Sequence, residues 1–559
     1  MLNSKFTILS VLALGGFAGA SPYYTECLCT HGDPCWPDAA TFAQLESQVS
    51  QPLIYPLPTA SACYPAANPS GNCSEVIENW TDAPNFETFE FKNGTISACY
   101  LNTSLGVPCE QGNVPVVGVD ARTPGDIKAA VNFAVKYNLK LVVKNTGHDF
   151  LGRSAARGAE RLQTKHTKVA LSVAIGVPMK AHPAMFTAVT LGAGVQWHEA
   201  YDAVNQYGRM MVGGASLGGS VGAAGGWLQG GGHSALSPTY GLGVDNAIEI
   251  TVVISTGELL IANKYQNSDL FWALRGGGGG TYGIVTSVTY RTYESLPVAF
   301  YLFQANFTDT TAMKELIAGM LQFQTNLTDD GWGGYAIMNN TSMYFFTIAP
   351  NMSTEAANAS TQAWTDYASG LQSQGVTSLA QIYPIPSWYE WYTTLFSSPG
   401  QNGGNTMLTS RLLSRDTLAN QYEDVAEILV DFQGSFNMIA GGKVSQIDPE
   451  SAGVNPAWRN AVVEAVCGVS WDEGATSKEI EEEISQLKTW ISALNDVAPN
   501  DGAYFNEASL FEIDWQTTFF GSHYSQLKDV KDKYDPCRLF VVAEGVGSEE
   551  WNNELTCRL

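Results

Sequence analysis

One short window of the chain combines a histidine with residues suited to binding an anion. It reads Asn145-Thr146-Gly147-His148-Asp149-Phe150-Leu151-Gly152-Arg153-Ser154. The two glycines let the backbone approach a ligand closely, and Arg153 and Ser154 can hydrogen-bond an anionic group. The window indicates a site for a phosphate-bearing cofactor. An ordinary turn with a surface histidine is the alternative at this point.

A second window is rich in glycine. It contains Gly192 and Gly194, then the glycine run 213–226, and then Gly230-Gly231-Gly232-His233. Ordering so many glycines costs conformational entropy, and that cost is tolerated where backbone amides must wrap a ligand that side chains would block. A flexible linker would lack the interleaved Val212, Val221, Trp227 and Leu228. The pattern favours a long, polyphosphate-containing cofactor.

Regular elements must hold these two windows. Val116 to Lys140 predicts a short strand, a helix that starts at Thr123-Pro124, and an apolar helix face. Leu141 to Val143 is the next predicted strand, directly before the histidine window. Another strand, Ile248 to Ile254, follows the glycine run. Strands that alternate with helices and glycine turns indicate an α+β lobe from about residue 113 to 295.

Four segments in this order resemble the secreted fungal FAD-linked oxidases of the berberine-bridge-enzyme-like group, within the vanillyl-alcohol-oxidase superfamily. They are 117–154 with its Gly-His-Asp, 192–246 with the glycine run, 269–286 with its own glycine block, and 502–551. The last segment contains Tyr504-Phe505-Asn506-Glu507-Ala508, which matches the group's closing pattern. Each segment alone is a weak signal, but the ordered set is highly specific.

The resemblance implies an α+β fold with a two-subdomain, PCMH-type FAD-binding lobe. A substrate lobe would contain an antiparallel sheet backed by helices, and the C-terminal segment would return to the FAD lobe. Composition shifts agree with this division. The expected boundaries are a signal peptide at 1–20, a disulfide-rich segment at 21–112, the FAD-binding domain at 113–295, the substrate domain at 296–499, and a berberine-bridge-like segment at 500–559.

His148 matches the family histidine whose ring nitrogen bonds the 8-methyl position of the flavin. The resemblance therefore implies covalent FAD, and a histidine that only hydrogen-bonds the ring is the alternative. Many relatives add a thioether bond from a cysteine three residues before a Val-Gly pair. Here that pair is Val221-Gly222 and the aligned residue is Gly218, so we expect a single bond, through His148.

The resemblance carries further cofactor contacts over to both windows and to the C-terminal segment. The glycine block 276–280 is instead expected to serve tight strand packing. The predicted contacts are Asn145, Thr146, Gly147, Gly152, Arg153, Ser154, Gly192, Gly194, Gly213, Gly214, Ser220, Gly222, Gly225, Gly226, Asn506 and Tyr524.

Oxidation of an alcohol or amine also needs a group that takes a proton. Tyr504 is the first candidate, since it matches the family's Tyr-x-Asn tyrosine and Asn506 could orient it. An ordinary tyrosine is a poor base, so a neighbour would have to lower its pKa. Asp149 could be the base or could orient a loop amide. His523 stands where relatives often have asparagine, and could titrate by the ring or replace that hydrogen bond.

The remaining histidines carry no metal-like spacing, and we expect His166, His182, His198 and His233 to be structural. No metal is expected. The predicted function is a flavoprotein oxidase that transfers a hydride from a hydroxyl- or amine-bearing small molecule to FAD and returns the electrons to O2, giving H2O2. Carbohydrates and phenolic or secondary metabolites are comparable substrate classes. A dehydrogenase with a quinone-type acceptor and a non-catalytic flavin-fold glycoprotein are the alternatives.

The aromatic residues of 383–392 suit stacking on sugars or phenols, although such clusters more often form core. They are Tyr383, Trp388, Tyr389, Trp391 and Tyr392.

Several features predict a secreted monomer. Lys5, the apolar run 6–17 and Ala18-Gly19-Ala20 form a signal with cleavage before Ser21. Ten cysteines indicate an oxidising compartment, and five disulfides are expected, with Cys537 pairing Cys467 or Cys557 as a guess. The net charge of -25 argues against nucleic acid or an anionic membrane as partner. Glycosylation sequons occur at Asn72, Asn79, Asn93, Asn102, Asn306, Asn326, Asn339, Asn340, Asn351 and Asn358.

Overall fold

The computed structural model describes residues 27–80, 90–92, 95–167, 172–177, 186–398, 400, 404–431 and 434–559. The expected signal peptide, the sequon at Asn93 and His182 lie outside the described residues.

Nineteen strands are described in this part of the chain. In chain order they are β1 Glu90–Lys92, β2 Thr95–Ser97, β3 Val117–Asp120, β4 Leu141–Lys144, β5 Glu160–Gln163, β6 Ser172–Val177, β7 Phe186–Gly192, β8 Arg209–Met210, β9 Ala247–Val253, β10 Leu259–Asn263, β11 Ile284–Arg291, β12 Tyr293–Glu294, β13 Val298–Phe307, β14 Gly333–Met338, β15 Ser342–Pro350, β16 Val376–Ile385, β17 Thr406–Ser414, β18 Gly434–Met438 and β19 Ala461–Ser470.

Sixteen α-helices are described in the same ranges. They are α1 Ala39–Glu46, α2 Cys73–Glu78, α3 Pro124–Tyr137, α4 Trp197–Asn205, α5 Gly226–Gln229, α6 Ser237–Tyr240, α7 Gly243–Asn246, α8 Ser268–Ala273, α9 Thr310–Asp329, α10 Thr354–Gly370, α11 Trp388–Phe396, α12 Arg415–Asn420, α13 Tyr422–Val430, α14 Ser477–Val497, α15 Trp515–Phe520 and α16 Tyr524–Tyr534.

A small parallel sheet in the order β3-β5-β4 carries the histidine window at the carboxyl end of β4. Helix α3 connects β3 to β4 and starts where the sequence predicts. Thr123 and Asp126 form a capping box there, which satisfies backbone N–H groups of the first turn. The apolar face of α3 is fully buried against the sheet, with Ile127, Ala130 and Val131 at 0% exposure.

A five-stranded sheet in the order β10-β9-β11-β7-β6 forms the second part of this lobe, and all of its pairings are antiparallel. The glycine run lies between β8 and β9, in the loop that leads to the start of α5. Trp197 and Tyr201 of α4 are fully buried beneath the run. This aromatic floor fixes the position of the glycine backbone.

A seven-stranded antiparallel sheet in the order β16-β13-β15-β14-β18-β19-β17 forms the other lobe. One face of β13 is buried at alternate residues from Ala299 to Phe307, as expected for a strand covered on one side. Helices α9, α10 and α13 contribute to the same apolar cluster. The antiparallel sheet backed by helices that the resemblance implied for this lobe is therefore present.

The cysteine pattern differs from the expected five disulfides. Four bonds are present, and Cys467 and Cys537 are unpaired. Cys557 pairs with Cys27 across 530 residues, because the end of the chain forms a β-bridge with residue 27. The predicted pairing of Cys537 with Cys467 or Cys557 is therefore wrong, because Cys557 is bonded to Cys27 and both Cys467 and Cys537 are free. The four bonds are Cys27–Cys557, Cys29–Cys35, Cys63–Cys73 and Cys99–Cys109.

Among the helices of the described ranges, none combines the length and the apolar character that crossing a membrane requires.

Candidate active site

A cavity of about 560 Å³ lies between the histidine window, the glycine run and the seven-stranded sheet. Three neighbouring strands of that sheet each contribute one side chain to its wall: Leu408 of β17, Ser435 of β18 and Val466 of β19. The predicted site residues that line the cavity are Asn145, Thr146, Gly147, His148, Asp149, Arg153, Ser154, Gly222, Gly225, Gly226, Tyr504 and Asn506.

His148 lies on the cavity wall with one ring nitrogen engaged. Its Nε2 is 2.9 Å from Oγ of Ser220, the predicted contact in the glycine run. Burial, and then the positive charges of Lys144 and Lys165, lower the pKa of His148 to about 4. The imidazole is therefore neutral at physiological pH, which is the form that can act as a nucleophile.

Close approach between the two windows requires glycine at position 222. A Cβ built on Gly222 would lie 2.0 Å from Oδ1 of Asn145, and one on Gly225 would lie 3.2 Å from Cβ of the same asparagine. Nδ2 of Asn145 donates to the carbonyl of Ala193 and to Oγ1 of Thr164. The glycines thus let Asn145 fill the junction between the two parts of the lobe.

Several predicted contacts lie behind the cavity rather than on its wall. A Cβ on Gly194 would lie 2.2 Å from the carbonyl of Lys165, and one on Gly213 would lie 2.4 Å from the hydroxyl of Tyr201. A Cβ on Gly214 would lie 2.9 Å from Nε1 of Trp227 and 3.1 Å from Nε1 of Trp197. Gly192 ends β7, paired with β11. These glycines serve packing beneath the site.

Gly152 and the block 276–280 also differ from expectation. Gly152 adopts a φ of +75° with open space around it and does not line the cavity, so its role is the turn itself. Gly276 and Gly278 pack against Val454 and Phe505, as predicted for the block, whereas Gly279 and Gly280 reach the cavity wall.

Asp149 is paired rather than free. Its carboxylate accepts from the backbone N–H and the guanidinium of Arg153, and the two side chains are 16% and 7% exposed. The guanidinium also lies 3.9 Å from the ring centroid of Phe505 and donates to its carbonyl. Asp149 therefore holds Arg153, which joins the histidine window to the C-terminal segment.

Tyr504 and Asn506 meet at the cavity as the sequence suggests. Nδ2 of Asn506 donates to the hydroxyl of Tyr504 at 2.8 Å and to the carbonyl of Gly226 at 2.9 Å. Burial and the nearby charge of Glu507 raise the pKa of Tyr504 well above its ordinary value. The hydroxyl of Tyr504 is therefore protonated at neutral pH and can form hydrogen bonds at the cavity.

His523 and Tyr524 lie away from the cavity. Nδ1 of His523 is 3.1 Å from the carbonyl of Val454, and Nε2 is 3.3 Å from Oε1 of Glu450. The hydroxyl of Tyr524 donates to Glu549. These contacts hold both side chains, and neither residue lines the cavity where the resemblance would place it.

Of the aromatic candidates, Trp388, Trp391 and Tyr392 are core residues, at most 2% exposed. Tyr389 donates to Asp202, and Tyr383 is 40% exposed on β16.

A polar cluster beside Tyr504, made of His233, Glu464 and Glu507, was not predicted from the sequence. Nε2 of His233 is 3.1 Å from Oε1 of Glu507 and 3.9 Å from Oε2 of Glu464. Glu507 lines the cavity, and the other two lie directly behind it. His233 is thus not an isolated structural histidine. A signal was present in the sequence: Glu464 is the single charge in the apolar strand 461–469, and a buried charge needs a partner.

The cavity wall also offers polar atoms that suit a large polar ligand. Within the described chain, five side-chain atoms of the wall are buried without a hydrogen-bond partner, which is rare unless a ligand or water satisfies them. Backbone freed by glycine lies beside them, so the residues present fit a flavin dinucleotide. The five atoms are Oδ1 of Asn145, Nη1 of Arg153, Oγ of Ser216, Nε1 of Trp227 and Oε1 of Gln229.

Comparison with known proteins agrees with this site. Residues 115–263 match the family described as FAD binding domain, and residues 503–547 match the family described as berberine and berberine like. An uncharacterized FAD-linked oxidoreductase of Arthroderma benhamiae is 35% identical over 601 aligned positions, covering 100% of both chains. The VAO-type flavoprotein oxidase VAO615 of Thermothelomyces thermophilus is 32% identical, covering 99% of both chains.

Solved structures show the same architecture. The VAO-type flavoprotein MtVAO615 of Myceliophthora thermophila has a TM-score of 0.83 at 28% identity, with 95% of this chain and 100% of that chain covered. A glucooligosaccharide oxidase of Acremonium strictum shares the fold at 19% identity and a TM-score of 0.66, covering 78% of this chain and 92% of that chain. The chain is an FAD-dependent oxidoreductase, and it belongs to the berberine-bridge-enzyme-like members of the VAO-type flavoproteins.

Proposed function

We propose that the protein is an oxidase for a hydroxyl- or amine-bearing small molecule, with FAD attached through one covalent bond to His148 and with O2 as electron acceptor. The bound flavin would take a hydride from the substrate carbon, and its reoxidation by O2 would release H2O2. Carbohydrates and phenolic or secondary metabolites are both retained as substrate classes. The relative named a flavoprotein oxidase, similar over its whole length, supports the choice of O2.

The position and state of His148 carry this proposal. Ser220 engages Nε2, so Nδ1 is the ring nitrogen left to bond the flavin. The solved glucooligosaccharide oxidase is described with a 6-S-cysteinyl, 8α-N1-histidyl FAD. Here Gly218 replaces the cysteine of the doubly linked pattern, and the sequence has no cysteine between Cys109 and Cys467. One bond, through the histidine, is the attachment that these residues can make.

The surrounding residues would bind and orient the cofactor. The unpartnered amide oxygens of Asn145 and Gln229 and the unpartnered indole N–H of Trp227 are available for hydrogen bonds to it. Arg153 adds a positive charge at the wall, which suits an anionic group. Tyr504 and Asn506, on the side of the C-terminal segment, would complete the polar boundary of the site.

The attachment can be tested on the purified protein by acid precipitation followed by mass analysis of the peptide that contains His148. We expect a yellow pellet and a peptide heavier by one flavin. Free flavin in the supernatant with an unmodified peptide would refute covalent attachment. Absence of any flavin would favour a non-catalytic glycoprotein instead.

The electron acceptor requires a separate experiment. After anaerobic reduction by a substrate from an alcohol, sugar and amine panel, the flavin should reoxidise in O2 with one H2O2 formed per substrate consumed. A flavin that reacts slowly with O2 and rapidly with a quinone would show that the protein is a dehydrogenase.

We also propose that the protein is secreted. The four disulfides support this location, because such bonds persist in oxidising compartments. Expression of the full chain in a fungal host should yield medium protein that starts near Ser21 and loses mass on enzymatic deglycosylation. Retention of the unprocessed chain in the cytosol would contradict the proposal.

A further inference from the structure

The cluster of His233, Glu464 and Glu507 is assembled from three distant parts of the chain. His233 follows the glycine run, Glu464 lies in the middle of β19, and Glu507 follows Tyr504. Their side chains are 9%, 0% and 25% exposed, respectively. A single nitrogen, Nε2 of His233, faces both carboxylates. The cluster therefore places one imidazole between a fully buried acid and an acid at the cavity.

The cluster is incompletely satisfied as a structural unit. Oε2 of Glu464 accepts from Nδ2 of Asn437 at 3.3 Å, but Oε1 of Glu464 and Nδ1 of His233 have no partner within the described ranges. A buried ion pair that serves only stability normally has its remaining polar atoms hydrogen-bonded. Buried, unpartnered titratable groups beside the cavity instead mark the cluster as a candidate functional site.

The environment also fixes how many protons the cluster holds. Burial and the charge of Glu507 raise the pKa of Glu464 to about 8. For His233, burial lowers the pKa, but the charge of Glu507 and the hydrogen bond to it act in the opposite direction, and the net shift is upward. The other titratable groups that face the cluster are Tyr504 and Tyr335, and both keep their protons because burial raises their pKa values. These shifts keep Glu464 protonated near neutral pH and hold the imidazole of His233 closer to its charged form.

We propose that Glu507 accepts the substrate proton, and that His233 and Glu464 control this step by sharing the imidazolium proton between the two carboxylates. The inference rests on the proposed oxidase function. While Glu464 is protonated, the Nε2–H of His233 is directed to Glu507 and weakens it as a base. When Glu464 loses its proton, the Nε2–H turns toward Glu464, and Glu507 becomes free to accept.

For an alcohol, the substrate O–H bond breaks and its proton goes to Glu507. The C–H bond breaks, and its hydrogen leaves with the electron pair as a hydride that bound FAD would accept. A C=O bond forms between the same carbon and oxygen. Glu507 is thus the catalytic residue, while His233 and Glu464 are positioning residues.

Isosteric amide variants of the full-length, flavin-loaded protein test the assignment. For Glu507→Gln, we expect flavin reduction by the substrate to slow by about a hundredfold or more, as loss of a general base does. For wild type, the rate should rise with pH through about 8, where Glu464 ionises. For Glu464→Gln, that rise should be absent, with covalent flavin content unchanged.

The matched control is Glu450→Gln. Glu450 forms the same kind of pair with His523, 3.3 Å away, but outside the cavity. This variant should keep the wild-type rate and pH profile. A Glu464→Gln variant with the wild-type pH profile, or a Glu507→Gln variant with the wild-type rate, would overturn the proposal.

A readout that needs no turnover separates this inference from the proposed function. The difference between the infrared titrations of wild type and Glu464→Gln should contain one protonated carboxyl C=O band that disappears near pH 8, because the bands of Glu160 and Glu544, whose pKa values are also raised to about 8, are common to both proteins and cancel. Substrate oxidation without that band would refute the shared proton alone. The band with no flavin reduction by any donor would refute the oxidase function, and the relay with it.

The same three side chains could also hold a divalent cation, since their ligand atoms lie within 4.8 Å of one another. Elemental analysis and dialysis against EDTA decide between the two roles. We expect no stoichiometric metal and an unchanged rate of flavin reduction after EDTA. One bound metal per chain, with loss of activity on its removal, would overturn the proton assignment.

Discussion

The two walls of the cavity are built in different ways. The wall on the flavin side consists of two continuous windows, the histidine loop and the glycine run, and their chemistry depends on the backbone that glycine permits. The opposite wall brings together His233, Glu464 and Glu507 from positions up to 274 residues apart. The first kind of site is visible in sequence because its parts are adjacent. The second exists only after folding, since tertiary contacts create its electrostatics.

The largest expected effect comes from a substitution in the flavin wall, the wall formed by the histidine loop and the glycine run. His148→Ala should abolish covalent flavin, because no other cavity residue matches the family's attachment position. In-gel flavin fluorescence after denaturation measures this directly. His166→Ala is the control, since His166 is largely exposed and contacts Asp120 instead, and it should stay fluorescent. A fluorescent His148→Ala band would place the bond elsewhere.

Glu160 sharpens the comparison, because it shares the burial of Glu464 but not its partners. It is 1% exposed in β5, both carboxylate oxygens lack a hydrogen bond within the described chain, and burial raises its pKa to about 8. Below pH 4.5, Glu160 is protonated in both the folded and the unfolded chain and does not reduce the unfolding free energy. As pH rises from 4.5 toward the folded-state pKa of about 8, the unfolded chain loses the proton first, so the unfolding free energy falls.

Glu160→Gln should therefore stabilise the protein by about 3 kcal/mol at pH 7 and by almost nothing at pH 4. Denaturant unfolding of both proteins at the two pH values measures the difference. An equal effect at both pH values would show that Glu160 does not titrate on unfolding.

Gly222→Ala tests how closely the two windows of the flavin wall must approach. The new Cβ would lie 2.0 Å from Oδ1 of Asn145, so we expect a loss of about 1–3 kcal/mol in unfolding free energy and reduced flavin loading. Gly370→Ala, in α10 with open space around it, should leave both quantities unchanged or slightly improve stability. Equal unfolding midpoints for the two variants would contradict the close approach.

The smallest expected effect concerns Tyr504, which lies at the boundary between the walls. Tyr504→Phe should slow flavin reduction by about tenfold or less, near 1.4 kcal/mol, because the protonated hydroxyl only contributes a hydrogen bond. Stopped-flow reduction by the best available substrate measures the rate. A loss of a hundredfold or more would restore Tyr504 as the proton acceptor and displace Glu507.

The sequence predicted most of what depends on local pattern. Helix α3, with its Thr123 cap, and the strand before His148 follow from apolar periodicity and turn chemistry. The resemblance located the histidine loop and the Tyr504-Asn506 pair, and both line the cavity.

Features set by distant contacts were not predictable in the same way. The resemblance placed His523 by the flavin, but a single carbonyl and a glutamate hold it elsewhere. Glycines in one run divide between the cavity wall and the packing beneath it, and their spacing does not distinguish the two roles. Glu464 could have been flagged as a lone charge in an apolar strand, but its partners could not, since they are brought together by the packing of the lobes.

The bond between Cys27 and Cys557 joins two residues that are 530 positions apart and closes the chain between them into a covalent ring. A protease that cuts once within that ring opens it without dividing the molecule, whereas the same cut in an open chain would release a fragment. The exposed turn at Asn339-Asn340-Thr341 is one such place, and a molecule nicked there would still migrate as a single species until it is reduced. The disulfide therefore keeps the two fragments covalently joined after a first proteolytic cut.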